Sequence, residues 1–206
     1  TCASHRPGRS VRPSRSTTSA SGGTGTAFDF ATLFSAGDAV RISGATQHPE
    51  NNRTAIIREV DGTSLHFYEN IFTIGENGDG ESTLTIKREV PELDFICSHE
   101  NRLWGCKGDT IYASKLGDPF NWNVFDGLTT DSYAVDVQSA GDFTGCISAF
   151  GYPIFFKEDA IYKVYGSKPS NFQVLSSASL GVERGSDRSL AIAGETLFYL
   201  SRTGIT

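Results

Sequence analysis

A self-similarity at a fixed spacing of fifty residues constrains this chain more than any other feature. "DTIYASKLGDPFNW" (Asp109–Trp122) returns as "DAIYKVYGSKPSNF" (Asp159–Phe172). The overlay sets Asp109 on Asp159, Ile111 and Tyr112 on Ile161 and Tyr162, Pro119 on Pro169, Asn121 on Asn171, and Trp122 on Phe172. Each copy divides into four strand-sized pieces. In the first they are "LDFICS", "RLWGC", "DTIYAS" and "NWNVF", and in the second "GCISAF", "PIFFK", "AIYKVY" and "NFQVLS". Four strands in about 40–50 residues is the size of a β-propeller blade, one of the architectures that repetition at this period signals. A blade cannot bury both faces alone, so each copy must offer the same apolar strands to its neighbours. The expected packing positions are the Ile-Tyr pair, Trp104 in the second strand, and Trp122 or Phe172 opening the fourth. Asp109, Asp159 and the Pro-x-Asn pairs are expected at turns, where fixed φ and local side-chain hydrogen bonds are useful.

A third copy begins in "SLAIAG", "TLFYLS" and "GIT", at a shorter offset of 44 that sets Thr203 on Asp159 and Ile205 on Ile161. A propeller usually closes with at least four blades. Two and a half leave a strand edge that further chain or a partner is expected to cover.

Ahead of Pro91 lie four more strand-length runs, "AVRISG", "RTAIIREV", "SLHFYENIF" and "STLTIKREV". Asp61-Gly62 between two of them is a hairpin signal. Together they predict a small β-barrel or sandwich module. Residues 1–26 are rich in Ser, Thr, Gly, Pro and Arg and poor in apolar side chains, so they cannot repay the entropy of ordering and read as a disordered basic arm. The expected organisation is therefore 1–26 arm, 27–90 small β module and 91–206 blades, divided at 91–142, 143–186 and a truncated 187–206. Methionine is absent, position 1 included, which reads as a fragment or a processed product.

The net charge of −6 hides an asymmetry. The arm holds Arg6, Arg9, Arg12 and Arg15 and no carboxylate, while the rest carries 14 basic against 24 acidic residues. An acidic body argues against a large phosphate-binding face, because affinity for nucleic acid comes from clustered Lys and Arg. The four arginines would give at most weak, non-specific contact. No run approaches the roughly 18 apolar residues of a membrane helix, so membrane insertion is not expected. Cys2, Cys97, Cys106 and Cys146 read as reduced thiols, three of them on strands.

No catalytic signature stands out: there is no Gly-x-Ser-x-Gly elbow, no His-Glu-x-x-His, no Walker loop and no dinucleotide fingerprint. Cys97, His99 and Cys106 match no common zinc spacing. Asn77, Asp79 and Glu81 in "ENGDGE" alternate as calcium ligands sometimes do, but lack the Asp-x-Asp-x-Asp-Gly frame and read as an acidic loop. Asp109, Glu158 and Asp159 invite a paired-carboxylate reading for glycoside hydrolysis. Equivalent turn positions explain Asp109 and Asp159 together. No enzyme activity, cofactor or metal is therefore expected.

"NRLWGCKGDTIYASKLGDPFNWNVF", "FFKEDAIYKVYGSKPSNFQV" and "GETLFYLSRTGI" resemble a group of tailed-bacteriophage virion proteins whose repeats form a propeller-like body in the tail or neck. "GDAVRISGATQHPENNRTAIIREVDGTSLHFYENIF" resembles a small β module of phage tail and head-tail joining components. The likeness spans about residues 33–206, and the first 25 residues do not fit it. It implies a structural subunit assembled in the bacterial host cytoplasm into the virion, a homo-oligomer with other virion proteins as partners. It transfers no ligand residue. Two other readings remain: a propeller enzyme acting on host polysaccharide, and a carbohydrate- or receptor-binding module using Trp104, Trp122 and Tyr152.

Overall fold

The computed structural model describes residues 29–46, 48–62, 64–68 and 84–206, and they form an all-β protein of small antiparallel sheets. The Arg-rich arm, with Arg6, Arg9, Arg12 and Arg15, and the "ENGDGE" loop lie outside the described residues. The chain divides into two compact units, one holding Val40–Lys87 and the other Arg88–Thr206 together with Gly37–Ala39.

In the first unit, β1 (Ala39–Ser43), β2 (Thr54–Asp61), β3 (Ser64–Phe67) and β4 (Thr85–Glu89) form one sheet in the order β3-β2-β1-β4. Period-two alternation decides which residues bury: Val40 and Ile42 go inside and Arg41 between them stays out. Val40 joins Ile57, Leu65, Phe30 and Phe34 in a small core. The expected hairpin closes at the Asp61↔Ser64 pair with Gly62 at φ +45°. The expectation of a barrel is corrected: among the described residues this is a single open four-stranded sheet.

The second unit begins with β5 (Phe95–His99), β6 (Arg102–Lys107), β7 (Thr110–Ala113) and β8 (Tyr133–Asp136), a four-stranded meander. A second meander follows in β9 (Gly145–Ala149), β10 (Tyr152–Lys157), β11 (Ala160–Tyr165) and β12 (Gln173–Ser177). The third repeat holds two short hairpins, β13 (Ala191–Ala193) with β14 (Thr196–Phe198) and β15 (Leu200–Ser201) with β16 (Gly204–Ile205).

The registers repeat as the sequence does. His99↔Arg102 and Lys107↔Thr110 become Ala149↔Tyr152 and Lys157↔Ala160, then Ala193↔Thr196 and Ser201↔Gly204. Tyr199 and Thr206 exchange both backbone hydrogen bonds, at 3.1 and 2.9 Å, where Phe155 pairs with Tyr162 one repeat earlier. Two-residue turns fix this register. Glu100 and Asn101 take φ +47° and +56°, and Phe150 and Gly151 take +54° and +80°, the double positive φ of a type I′ hairpin.

One expectation fails. "NWNVF" is not the fourth strand of the first repeat; that place is taken by β8, which pairs Ala113 with Tyr133. Asn121 and Trp122 belong instead to an excursion across residues 114–132. Both are buried there with Val124, and the Trp122 indole donates to the Pro119 carbonyl at 2.9 Å. Residues 121–125 make no strand ladder, and the segment folds its neighbouring Asn121 and Trp122 inward together. The overlay of Trp122 on Phe172 therefore breaks down in space, because Phe172 leads directly into β12.

Candidate assembly surface

Alternation gives every repeat two different faces. In the first, Cys97, Trp104, Cys106, Ile111 and Ala113 share a face that packs on the second repeat; we call it the front. The second repeat receives it on its back, with Cys146, Phe155, Tyr162, Val164 and Val174. Its own front carries Ile147, Ala149, Ile154, Phe156 and Ile161, which pack with Val182, Leu190, Leu197 and Tyr199 of the following chain. β10 is accordingly buried nearly throughout. The Ile-Tyr pair is thus divided: Ile111 and Ile161 face forward, Tyr162 faces back, and Tyr112 looks back from the first repeat and stays partly exposed.

Aromatic rings fill the first junction. Trp104 meets Phe172 edge-on at 5.1 Å between centroids, Phe172 meets Tyr133 at 5.1 Å, and Phe143 packs on Phe155 and Tyr162 at 5.8 and 5.6 Å. Of the three aromatics of the carbohydrate reading, Trp104 and Trp122 are buried and unavailable to a sugar, and Tyr152 is half-buried. Tyr152 packs against Tyr165 with ring centres 4.7 Å apart and planes tilted by 50°. A void of about 40 Å³ beside Trp104, His99 and Arg102 is large enough for a water molecule.

The repeated aspartates do more than mark turns. Asp109 reaches across the junction to the Lys157 ammonium, which is only 3% exposed. That ammonium also donates to the Ser139 carbonyl at 3.0 Å and to the Ser139 hydroxyl at 2.6 Å, and it lies 5.0 Å from the Phe143 ring centre. The Tyr162 hydroxyl donates to Ser139 Oγ at 2.7 Å and closes the network. Burial pushes the Asp109 carboxyl up, but the hydrogen bond from Lys157 and the Ser139 amide hold it net below its ordinary value. Asp159 repeats the reach one step on, meeting Arg202 at 2.7 Å. Each carboxylate is neutralised by a cation of the following repeat, an arrangement that suits cohesion better than acid-base chemistry. The sequence carries the clue, since Lys107 and Lys157 share the fifty-residue spacing. Lys107, however, is half-exposed and bonds Asp94 at 2.9 Å.

The remaining expected turn residues separate. Asn171 accepts the amides of Ser167 and Lys168 through Oδ1, at 3.0 Å each, in the short 3-10 turn Pro169–Asn171. Asn121, after Pro119, is buried in the excursion, where its carbonyl accepts the Lys115 amide at 2.8 Å.

Arg102, a residue that the sequence did not single out, holds the excursion. Its guanidinium is buried and donates to the Ser114 carbonyl at 2.8 Å and the Thr129 carbonyl at 2.9 Å, with the Asp131 carbonyl as a further acceptor. Burial lowers its pKa and the Asp131 carboxylate opposes that. The excursion exposes Leu116, Phe120, Phe125 and Leu128, and Phe125, Leu128, Tyr133 and Pro169 border an apolar groove of about 290 Å³.

Three thiols meet at the first junction. The neighbouring Cys146 and burial push the Cys97 thiol far up, and Cys106 and burial push Cys146 up against an opposing effect of Cys97, so that both stay protonated. Among the described residues no cluster of His, Cys, Asp or Glu has metal-binding geometry. No described helix is long and apolar enough to cross a membrane.

The third repeat differs from the other two. Its front residues Phe198, Leu200 and Ile205 are 41%, 39% and 81% exposed, although their equivalents Ile154, Phe156 and Ile161 are covered in the second repeat. No protein-family model matches this chain, and no curated protein matches it.

Proposed function

We propose that this chain is a structural subunit of a tailed-phage virion, in the tail or neck, and that it acts by packing β-sheet on β-sheet. We infer further that its repeats are blades of a propeller-like body. One observation carries the reading: successive repeats with matched registers bury front on back, and the recurring Ile111 and Ile161, Asp109 and Asp159 each face the following repeat. The resemblance of residues 33–206 to virion proteins supplies the setting, and the cations opposite Asp109 and Asp159 fit a cohesive role. The acidic body would limit adhesion to passing DNA. Two measurements test the proposal. Sequencing the source DNA on both sides of the reading frame should find genes for capsid or tail parts, and mass spectrometry of purified particles should find peptides of this chain. Neighbouring metabolic genes together with particles free of these peptides would refute it.

A further inference from the structure

The void beside Trp104 lies between the two four-stranded meanders, within one compact unit, and is bounded by β6 of the first and by β10 and β11 of the second. Its volume of about 40 Å³ is room for a few particles of water size, since roughly 10–15 Å³ holds one. Pro153, Val164 and Phe172 give it apolar walls. Its polar walls are short of acceptors. Trp104 is 2% exposed, and its indole N–H has no acceptor among the described residues. Arg102 is 4% exposed and donates from Nη1 and Nη2 to the carbonyls of Ser114, Thr129, Thr130 and Asp131, which leaves its Nε–H with no acceptor among the described residues.

Charge adds to the imbalance. A buried guanidinium is poorly offset by carbonyl dipoles alone. Among the described residues no carboxylate stands within ion-pair reach of Arg102. Asp131 acts on it from farther off, with one carboxylate oxygen taken by the Gly127 and Leu128 amides. Glu100 borders the void, but its side chain is 63% exposed and meets water. His99, also on the wall, pairs Nδ1 with the Ser148 hydroxyl at 2.9 Å. A water molecule would answer the indole; an anion answers the indole and the guanidinium together.

We propose that this void binds a small monovalent anion such as chloride, held by the Trp104 Nε1–H and the Arg102 Nε–H. Charge-assisted hydrogen bonds of this kind gain strength in an apolar enclosure. The ion fastens the first sheet to the second, because its donors stand on β6 while Pro153 and Val164 enclose it from β10 and β11. The inference goes beyond the assembly reading and does not depend on it.

The test uses the purified full chain, unfolded by heat and followed by tryptophan fluorescence, with sodium chloride exchanged for sodium gluconate at constant ionic strength. Gluconate carries the same charge and is too large for the void. Chloride should raise the melting midpoint along a saturating curve, by about 3–6 °C once it exceeds its dissociation constant tenfold. Trp104→Phe keeps an aromatic ring, removes the donor and should weaken chloride binding about tenfold or more. Leu116→Glu alters a wall residue that is 41% exposed, brings a tethered carboxylate to the void and should abolish the response. Circular dichroism identifies the variants that fold, and Leu116→Glu decides if Trp104→Phe does not. In Trp122→Phe, where Trp104 is the one tryptophan left, bromide should quench the fluorescence with a saturating curve. A midpoint that moves equally in both salts, a chloride response that survives in Leu116→Glu or in folded Trp104→Phe, or quenching by bromide that does not saturate would each overturn the proposal.

Discussion

Truncating either partner of the Asp109–Lys157 pair should cost unequal amounts. The Asp109→Ala variant leaves an ammonium that is 3% exposed, with only the Ser139 carbonyl and hydroxyl and the faces of Phe143 and Tyr162 around it. Breaking a buried pair costs about 3–5 kcal/mol. Asp109 is 32% exposed, so water can take part of its place and the expectation falls to about 2–3 kcal/mol. Lys157→Met keeps the apolar stem against Phe143 and leaves a carboxylate that reaches water and still accepts the Ser139 amide at 3.1 Å. About 1–2 kcal/mol is expected there. The double variant should be more stable than Asp109→Ala alone, which requires a coupling of about 2–3 kcal/mol, larger than the cost of Lys157→Met. Urea unfolding followed by tryptophan fluorescence suits the question, because Trp104 and Trp122 both lie in the repeats and report on that unit alone. If Lys157→Met costs as much as Asp109→Ala, or the cycle shows no coupling, the ammonium is not held by that carboxylate and the reasoning fails.

Protonation acts on the same pair. A carboxyl whose folded pKa lies below its unfolded value adds stability that is present above the ordinary Asp range of about 4 and is lost as pH falls through the folded value. Unfolding at a series of acid pH values should show this loss, and Asp109→Asn should flatten it. Gly181→Ala should destabilise by about 1–3 kcal/mol in the same assay, since its new Cβ would stand 2.0 Å from the Lys157 carbonyl oxygen and the backbone must move. Phe150→Asn should raise the melting midpoint, because a 47% exposed aromatic residue there holds φ +54°; the gain is about 0.4–1 kcal/mol. Thiol labelling with peptide mapping should find Cys97 and Cys146 inert in the native chain at mildly alkaline pH and reactive after unfolding, as their raised thiol pKa values require.

Much of the repeat architecture was legible because its signals are local. Period-two alternation places the strands, and two-residue turns such as Glu100-Asn101 and Phe150-Gly151 leave the register little freedom. β11 falls where "AIYKVY" stands. The excursion across 114–132 was not legible: Pro-x-Asn followed by an aromatic ring makes a short turn in the connection 166–172 of one repeat and a buried segment of the longer connection in the other, where Arg102 holds it. The aspartates had a visible spacing but not a visible target, because Lys107 and Lys157 are alike in sequence and differ in what packs over them. The division of each repeat into front and back needed the parity that the structure supplies. In the first unit the strands were readable and closure was not, since it depends on pairings between residues distant in sequence.

Near-identical neighbours carry a hazard during folding, since the apolar front of the first repeat could settle on the back of the third and skip the second. The polar network at the first junction guards against that error. A first-to-third contact would set Asp109 beside Ser201, the counterpart of Lys157, so the carboxylate would be partly desolvated with no cation opposite it, an unfavourable change that the correct contact avoids. Apolar faces let any repeat stick to any other, and it is the placement of one lysine that tells the chain which repeat comes next.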